Sequence, residues 1–555
     1  MSQGTMIDAH SPGKAGLIVG LAEQMGVVEL LNEKLSSNKG RREEIPYGVL
    51  ALMMMVNMCD DHHPLWRLET YYNDTMDLEG LFHYPIRHEQ INDDRFGHLL
   101  DRLHEADPRE IFSRLAANAF MRYDIQVKNI NYDTTSKVMW GTYETEDGKL
   151  GEVEIDFGHS KQKRADKKQL KIGIGTAEGI VADAQVLSGN ADDKTWNKDN
   201  LDQVEDVLAS LNINKETFYY IADSALFSQA NLEKAANKNI NLITRMPDHV
   251  TEAKALLHLA VESFDTLEAI TLTNAKGDAV PYRLRTEKVS YRGFPLSCGI
   301  SYSPSMKEQK EKSQGKKIIK ERETLEKKLK PLEKRNFACE EDARLEIQKL
   351  EKDIQKLKFH QVTFEINEIP KRKPGRPSKN MAPEWVYQLV PTMKEDHQAI
   401  QDHLIRECTF VLVSNDTSLT AEALLKEFNT QSQTEKKFQQ LKSPHFVNAM
   451  FLDSPRRIEA FAYLMLMVIL LLSVAEYVVR RGMKKNGETI AGLGNREVAR
   501  PTLFAIYTIF YSVRVHLYKN EGRIERQLAR PLFDNTKTVL KHLGIPEDTF
   551  TRGLG

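Results

Sequence analysis

Three carboxylates far apart in the chain, Asp133, Asp223 and Glu435, are of the kind that a divalent-metal phosphoryl-transfer site needs. Asp133 follows the apolar–polar alternation of NINYD, and Asp223 ends the strand-like FYYIAD. Strand ends in an α/β core bring short carboxylates to a common rim. Two metal ions held there would activate an attacking oxygen and stabilise a leaving one. Carboxylates suit hard ions such as Mg²⁺, with Mn²⁺ as a substitute. Glu435 lies in FNTQSQTEKKFQQLKSP, Phe428 to Pro444, which reads as one helix. Gln431, Glu435 and Lys442 fall at spacings of four and seven, so an acceptor, an acid and a base share a face. Lys442 and Gln431 would contact phosphate, while Phe428, Phe438 and Leu441 anchor the buried side. Surface or capping aspartates and a solvated amphipathic helix are the plainer alternatives.

The elements around these residues divide the chain of 555 residues into several parts. Residues 1–125 read as a helical domain, with apolar positions three and four apart in LIVGLAEQMGVVELLNEKL. Its histidines match no compact metal motif. Residues 126–240 alternate strands and helices. There LKIGIGTAEGIVADAQVLSGN reads as two strands joined by a Glu-Gly turn, followed by a helix from about Asn200 to Asn212. The glycines of KIGIGTAEG lack the Lys-Ser/Thr ending of a phosphate loop. Residues 241–395 look like an insertion of strands and a charged helical pair. Leu325, Leu329 and Leu332 form one stripe and Ile347, Leu350, Ile354 and Leu357 another, with a break expected around Pro331 and NFACEED. FHQVTFEINEI is expected to pair with the earlier strand block. The α/β pattern resumes over 396–484, and 485–555 reads as a helical polar tail. The apolar run FAYLMLMVILLLSVA is short for a membrane span of about 20 residues, so a buried helix and no membrane are expected.

Charged residues make up 28% and hydrophobic residues 41%, a globular profile. Four scattered cysteines make no disulfide framework and fit a reducing cytoplasm. The net charge of −2 hides basic runs at 161–171, 307–335 and 371–379, and local patches set a binding footprint. Within the last, Arg372, Lys373 and Arg376 in RKPGRP resemble the core of an AT-hook, whose arginines enter a narrow minor groove. A charged surface loop is the alternative. Asp192 and Asp193 in GNADD either cap the following helix or lie near DNA. Trp196 reads equally as a core or a surface residue.

NYDTTS around Asp133, YYIADSALF around Asp223 and FNTQSQTEKKFQQLKSPHFVNAMFLDSPRRIEAFAYLMLMVILLL together resemble a DDE transposase of the IS4 superfamily, IS1634-type group. That signature has tyrosine and arginine where this chain has Phe428 and Gln431, and it shares Glu435 and Lys442. The resemblance implies an α/β, RNase H-like catalytic core interrupted by a β-rich and helical insertion, with a helical N-terminal domain. It implies Asp133, Asp223 and Glu435 as catalytic metal ligands for Mg²⁺, and Gln431, Lys442, Arg372, Lys373 and Arg376 as DNA contacts. The implied partners are double-stranded DNA with terminal inverted repeats, target DNA, and at least one further copy of the chain on DNA. The implied place is the nucleoid of a prokaryotic cytoplasm. The same carboxylates would also serve a nuclease that does not join strands. The changed signature positions fit a decayed, DNA-binding copy.

Overall fold

A computed structural model of the chain describes residues 5–36, 43–60, 62–75, 77–141, 143, 153–161, 163–274, 277–371, 384–442, 452–492, 494 and 496–553. It is a large mixed α/β protein that divides into two compact units, Met1–Thr244 with Glu427–Gly555, and Arg245–Lys426.

The first unit is built on five strands: β1 (Asn129–Val138), β2 (Gln169–Ala177), β3 (Ile180–Leu187), β4 (Tyr219–Ala222) and β5 (Asn241–Arg245). They lie in the order β3-β2-β1-β4-β5. β3, β2 and β1 are antiparallel, whereas β1, β4 and β5 run parallel. That mixed order is consistent with an RNase H-like superfamily fold. The β2–β3 turn is the expected Glu-Gly pair, with φ of 53° at Glu178 and 78° at Gly179, values that glycine adopts without a Cβ penalty. β2 is buried throughout. The helix expected from about Asn200 begins earlier and spans Asp193–Ser210, because Asp192 accepts from the backbone N–H groups of Lys194 and Thr195 and closes its N-terminus. Trp196 is a core residue. It is 5% exposed, donates its Nε1–H to Gln185, and lies against Gly173 of β2, where a Cβ would meet its ring at 2.4 Å.

Among the described residues, seven α-helices lie between Gly13 and Arg122 in this unit. Tyr47–Cys59 is buried from Gly48 onwards, and Asp93–Glu105 and Pro108–Arg122 start on side-chain caps from Asn92 and Asp107. The apolar run forms a helix, Pro455–Asn486, that is long and apolar enough to cross a membrane, yet 94% of its most apolar stretch is buried inside the chain. It packs on Asp93–Glu105, Pro108–Arg122 and β3. The tail is not simply helical. The strands Val515–Asn520 and Arg523–Leu528 form a hairpin, and Thr5–His10 pairs with its first strand. Single short strands with one exposed face carry too little alternation to be read from the sequence.

The segment expected to be one helix from Phe428 is broken. One helix ends at Phe428, Asn429–Gln431 forms a 3₁₀ turn, and Ser432–Lys442 is the next α-helix. Gln431 therefore does not share a continuous α-helical face with Glu435.

The second unit holds four antiparallel strands in the order Thr409–Ser414, Phe294–Tyr302, Ala279–Tyr291, Glu268–Thr273. The charged pair is present as Lys307–Glu333 and Glu340–Ile354, with Leu325, Leu329 and Leu332 packed on Leu350 and Leu357. The first helix continues through Pro331 instead of breaking there. His360–Pro370 pairs with Trp385–Glu395, not with the earlier strand block, and a short connection closes more cheaply than a long one. Arg372, Lys373 and Arg376 lie outside the described residues.

Candidate active site

The parallel pairing of β1 and β4 matches Asn131 to Ile221 and Tyr132 to Ala222. The next positions are Asp133, within β1, and Asp223, just past β4, so the two acids face the point where the parallel pairing stops, near enough for the Asp223 charge to act on Asp133. Brought to neighbouring strands by parallel pairing, two carboxylates 90 residues apart in sequence become one electrostatic unit. Asp223 also closes a 3₁₀ turn by accepting from Ala225 N–H at 3.0 Å, and its carbonyl accepts from the Thr244 hydroxyl at 2.6 Å. Burial pushes the Asp133 carboxyl above the usual carboxylate range. The Asp223 charge adds to that rise, while Lys161 and the Thr134 N–H work against it.

Lys161 is the cation of this group. Its ammonium lies 2.9 Å from Asp133 Oδ1 and donates to the Thr134 carbonyl at 2.6 Å. It is also 3.7 Å from Asp193. Burial disfavours its charge, but Asp133, Asp193 and Asp223 together carry its pKa above the ordinary lysine value. Asp193 is held from three sides: the Thr134 hydroxyl donates to it at 2.8 Å, Lys171 at 3.1 Å, and Lys161 stands beside it. Those partners outweigh burial and keep its carboxyl below the usual range. Thus Asp192 caps the helix, whereas Asp193 joins the acid group.

The helix Ser432–Lys442 is fixed to this rim. Thr430 Oγ1 accepts from Asn131 Nδ2 at 2.8 Å, and Thr434 bonds to Thr176 and to the Asn131 carbonyl. Phe438 and Leu441 are buried, and Phe428 is half-buried. Lys442, half-buried, has its pKa lowered by burial and by the Lys161 charge, with Asp133 pulling the other way, which places it within electrostatic reach of both. Glu435 is on the exposed side of the helix. Among the described residues no three His, Cys, Asp or Glu side chains converge as metal ligands. The structure therefore joins Asp133 to Asp223, and Lys442 to their surroundings, without bringing Glu435 into a three-acid cluster. Gln431 is half-buried on its 3₁₀ turn.

Two adjacent hard carboxylates, both half-buried, call for a cation. Mg²⁺ is commonly held by one or two carboxylates, with phosphate and water oxygens completing the shell. Asp133 and Asp223 fit that donor set, with the Lys161 ammonium as the counter-charge seen here. Lys137 lies four residues beyond Asp133 on the same face of β1, and burial pushes it down to about 8. Lys161, Lys137 and Lys171 escape a reading of the sequence, whereas Asp193 is singled out there only as a cap or a residue near DNA. The basic run at 161–171 is visible, but nothing in it marks which lysines turn inward.

Residues 8–117 match a family model described as a domain of unknown function, DUF4277. No curated protein matches the sequence. Among solved structures the chain is similar to a piggyBac transposase synaptic complex with hairpin DNA, at 10% identity and a TM-score of 0.37, over 92% of this chain and 82% of that one. It is also similar to a Mos1 transposase paired-end complex with left transposon end, at 9% identity and a TM-score of 0.15, over 40% of this chain and 63% of that one.

Proposed function

We propose that the chain is an insertion-sequence transposase that cuts the DNA ends of its element and joins them to target DNA. The observation that supports this most is the placement of Asp133, midway along one central strand, and Asp223, just past the end of the strand parallel to it, where their pairing stops, with Lys161 beside Asp133 and Lys442 within electrostatic reach. A Mg²⁺ ion, or Mn²⁺ in its place, would be held by Asp133 and Asp223 and would supply charge stabilisation to the attacking and leaving oxygens. Lys442 offers positive charge to a phosphate next to these acids, in a half-buried position where an ion pair is screened less than in water. Glu435 is the third acid of the proposal, carried on a helix already pinned to β1 through Thr434 and reaching the pair when DNA is bound. Gln431 on the turn before that helix contacts the same strand. Arg372, Lys373 and Arg376 supply minor-groove contacts. The substrates are duplex DNA bearing terminal inverted repeats and a target duplex. Pairing two ends requires at least a dimer on DNA, on the nucleoid of a prokaryotic cytoplasm.

A second reading, a DNA-binding protein that no longer cuts, is favoured by one observation: Glu435 is exposed and no three-acid group forms among the described residues. A strand-transfer assay separates the two. Labelled duplexes carrying the repeats that bracket the gene are incubated with a target plasmid in Mg²⁺, Mn²⁺ or chelator. Labelled plasmid that appears only with metal supports transposition, cutting without joining supports a nuclease, and binding without either reaction supports the decayed copy.

A further inference from the structure

The basic run at 161–171 divides into two sets of side chains. Lys161 and Lys171 turn inward to Asp133 and Asp193. Arg164 and Lys167 turn outward over the ring of Trp140, at 5.3 and 4.8 Å from its centroid. Trp140 stands just beyond the end of β1 and is 68% exposed. An indole left this open to water has no packing role to explain it, in contrast to Trp196. Its backbone is nonetheless held firmly. Met139 N–H donates to the Lys168 carbonyl at 2.9 Å, Lys168 Nζ donates to the Tyr143 carbonyl at 2.8 Å, and the Tyr143 hydroxyl donates to the Trp140 carbonyl at 3.4 Å. Tyr143 itself is buried.

We propose that Trp140, framed by Arg164 and Lys167, is a stacking platform for an unpaired base of the DNA strand that reaches the Asp133–Asp223 rim. The inference rests on the proposed DNA substrate and extends it from duplex to a locally single-stranded segment. An exposed aromatic face with cations around it matches a nucleotide, which offers a π-face and a phosphate together. In the free protein the two cations stand beside the ring, which stays open to solvent, and Arg164 is also paired with Asp166 through two bonds of 2.7 Å. With a strand bound, the base takes the ring and the cations take the flanking phosphates. Trp140 is seven residues from Asp133, about 20 Å along an extended chain, so a strand touching both spans several nucleotides. A fully paired duplex offers a face only on the outer side of its terminal pair, where no further phosphate follows for the cations, so a single-stranded tail is preferred.

The test is fluorescence anisotropy in chelator with two labelled probes, a blunt duplex and the same duplex with a short single-stranded tail. Wild type, Trp140→Ala and Trp140→Phe are compared, with circular dichroism melts to confirm folding. Trp140→Ala is expected to weaken tailed-duplex binding about tenfold and to leave blunt-duplex binding within about twofold. Trp140→Phe restores most of the loss. Equal affinity of Trp140→Ala and wild type for the tailed probe overturns the inference, as does an equal loss on both probes or no preference of the wild type for the tail. Because the assay contains no metal, its outcome is independent of whether the chain cuts DNA.

Discussion

In the proposed function, Asp133, Asp223 and Lys161 set the chemistry at the scale of single residues. Two like charges on adjacent strands repel, and the ammonium of Lys161 offsets that repulsion in place of a metal ion. A divalent cation entering the same rim meets the positive charge of Lys161. Lys161→Ala is therefore expected to tighten Mn²⁺ binding on the order of tenfold, a modest share of the Coulomb repulsion of charges a few ångströms apart. Electron paramagnetic resonance of free Mn²⁺ reads this directly, and unchanged or weaker binding would show that Lys161 does not compete with the ion. The strand contexts of Asp133 and Asp223 were legible in the sequence from the apolar–polar patterns that precede them, although β1 runs on past Asp133 to Val138. The bonds of Lys161 and Asp193 to β1 were not, because they cross 28 and 59 residues of sequence and no local period encodes them.

At the scale of elements, β2 and β3 support β1 from one side and carry their own buried charge. Asp183 of β3 is 3% exposed. Burial raises its pKa, and Arg109, 3.7 Å away, only partly opposes this. A carboxyl whose folded pKa is raised contributes stability that is present below its unfolded pKa and is lost as the pH rises through the folded value. Asp183→Asn should thus raise the melting temperature at pH 7 to 8, with the gain vanishing below about pH 4. A melt series across that range checks it, and a variant less stable at pH 7 would mean that the Arg109 pair dominates. The β2–β3 hairpin was readable from Glu178-Gly179, since a turn with two positive φ values leaves a composition mark. The Ser432–Lys442 helix was readable from its apolar spacing. Its break from the preceding helix was not, because Asn429–Gln431 is bonded at three-residue spacing, and neither glycine nor proline marks the change.

For the whole molecule, the two ends of the chain close one unit. Arg526 of the tail hairpin, with a side chain 2% exposed, donates to both oxygens of Asp77, which caps the helix Leu78–Phe82. Tyr123 donates to the Leu543 carbonyl, and Arg552 pairs with Glu23. Asp77→Ala leaves the buried guanidinium with Glu79, 3.8 Å away, as its remaining carboxylate and removes a cap, so a loss of about 3 kcal/mol is expected. Urea unfolding measures it, and a loss under about 1 kcal/mol would show that the tail hairpin is not anchored there. These ties join positions more than 400 residues apart and could not be read from the sequence. The buried helix Pro455–Asn486 could, from its uninterrupted apolar run. The central claim concerns the rim that this fold assembles, and one experiment reaches it most directly: metal-dependent cleavage of labelled element ends by wild type, Asp133→Asn, Asp223→Asn and Glu435→Gln. The account predicts cutting by wild type that needs Mg²⁺ or Mn²⁺, and its loss by at least about a hundredfold in both aspartate variants, the scale on which removing key charge-stabilising groups acts. Cleavage that survives in Asp133→Asn or Asp223→Asn would contradict it.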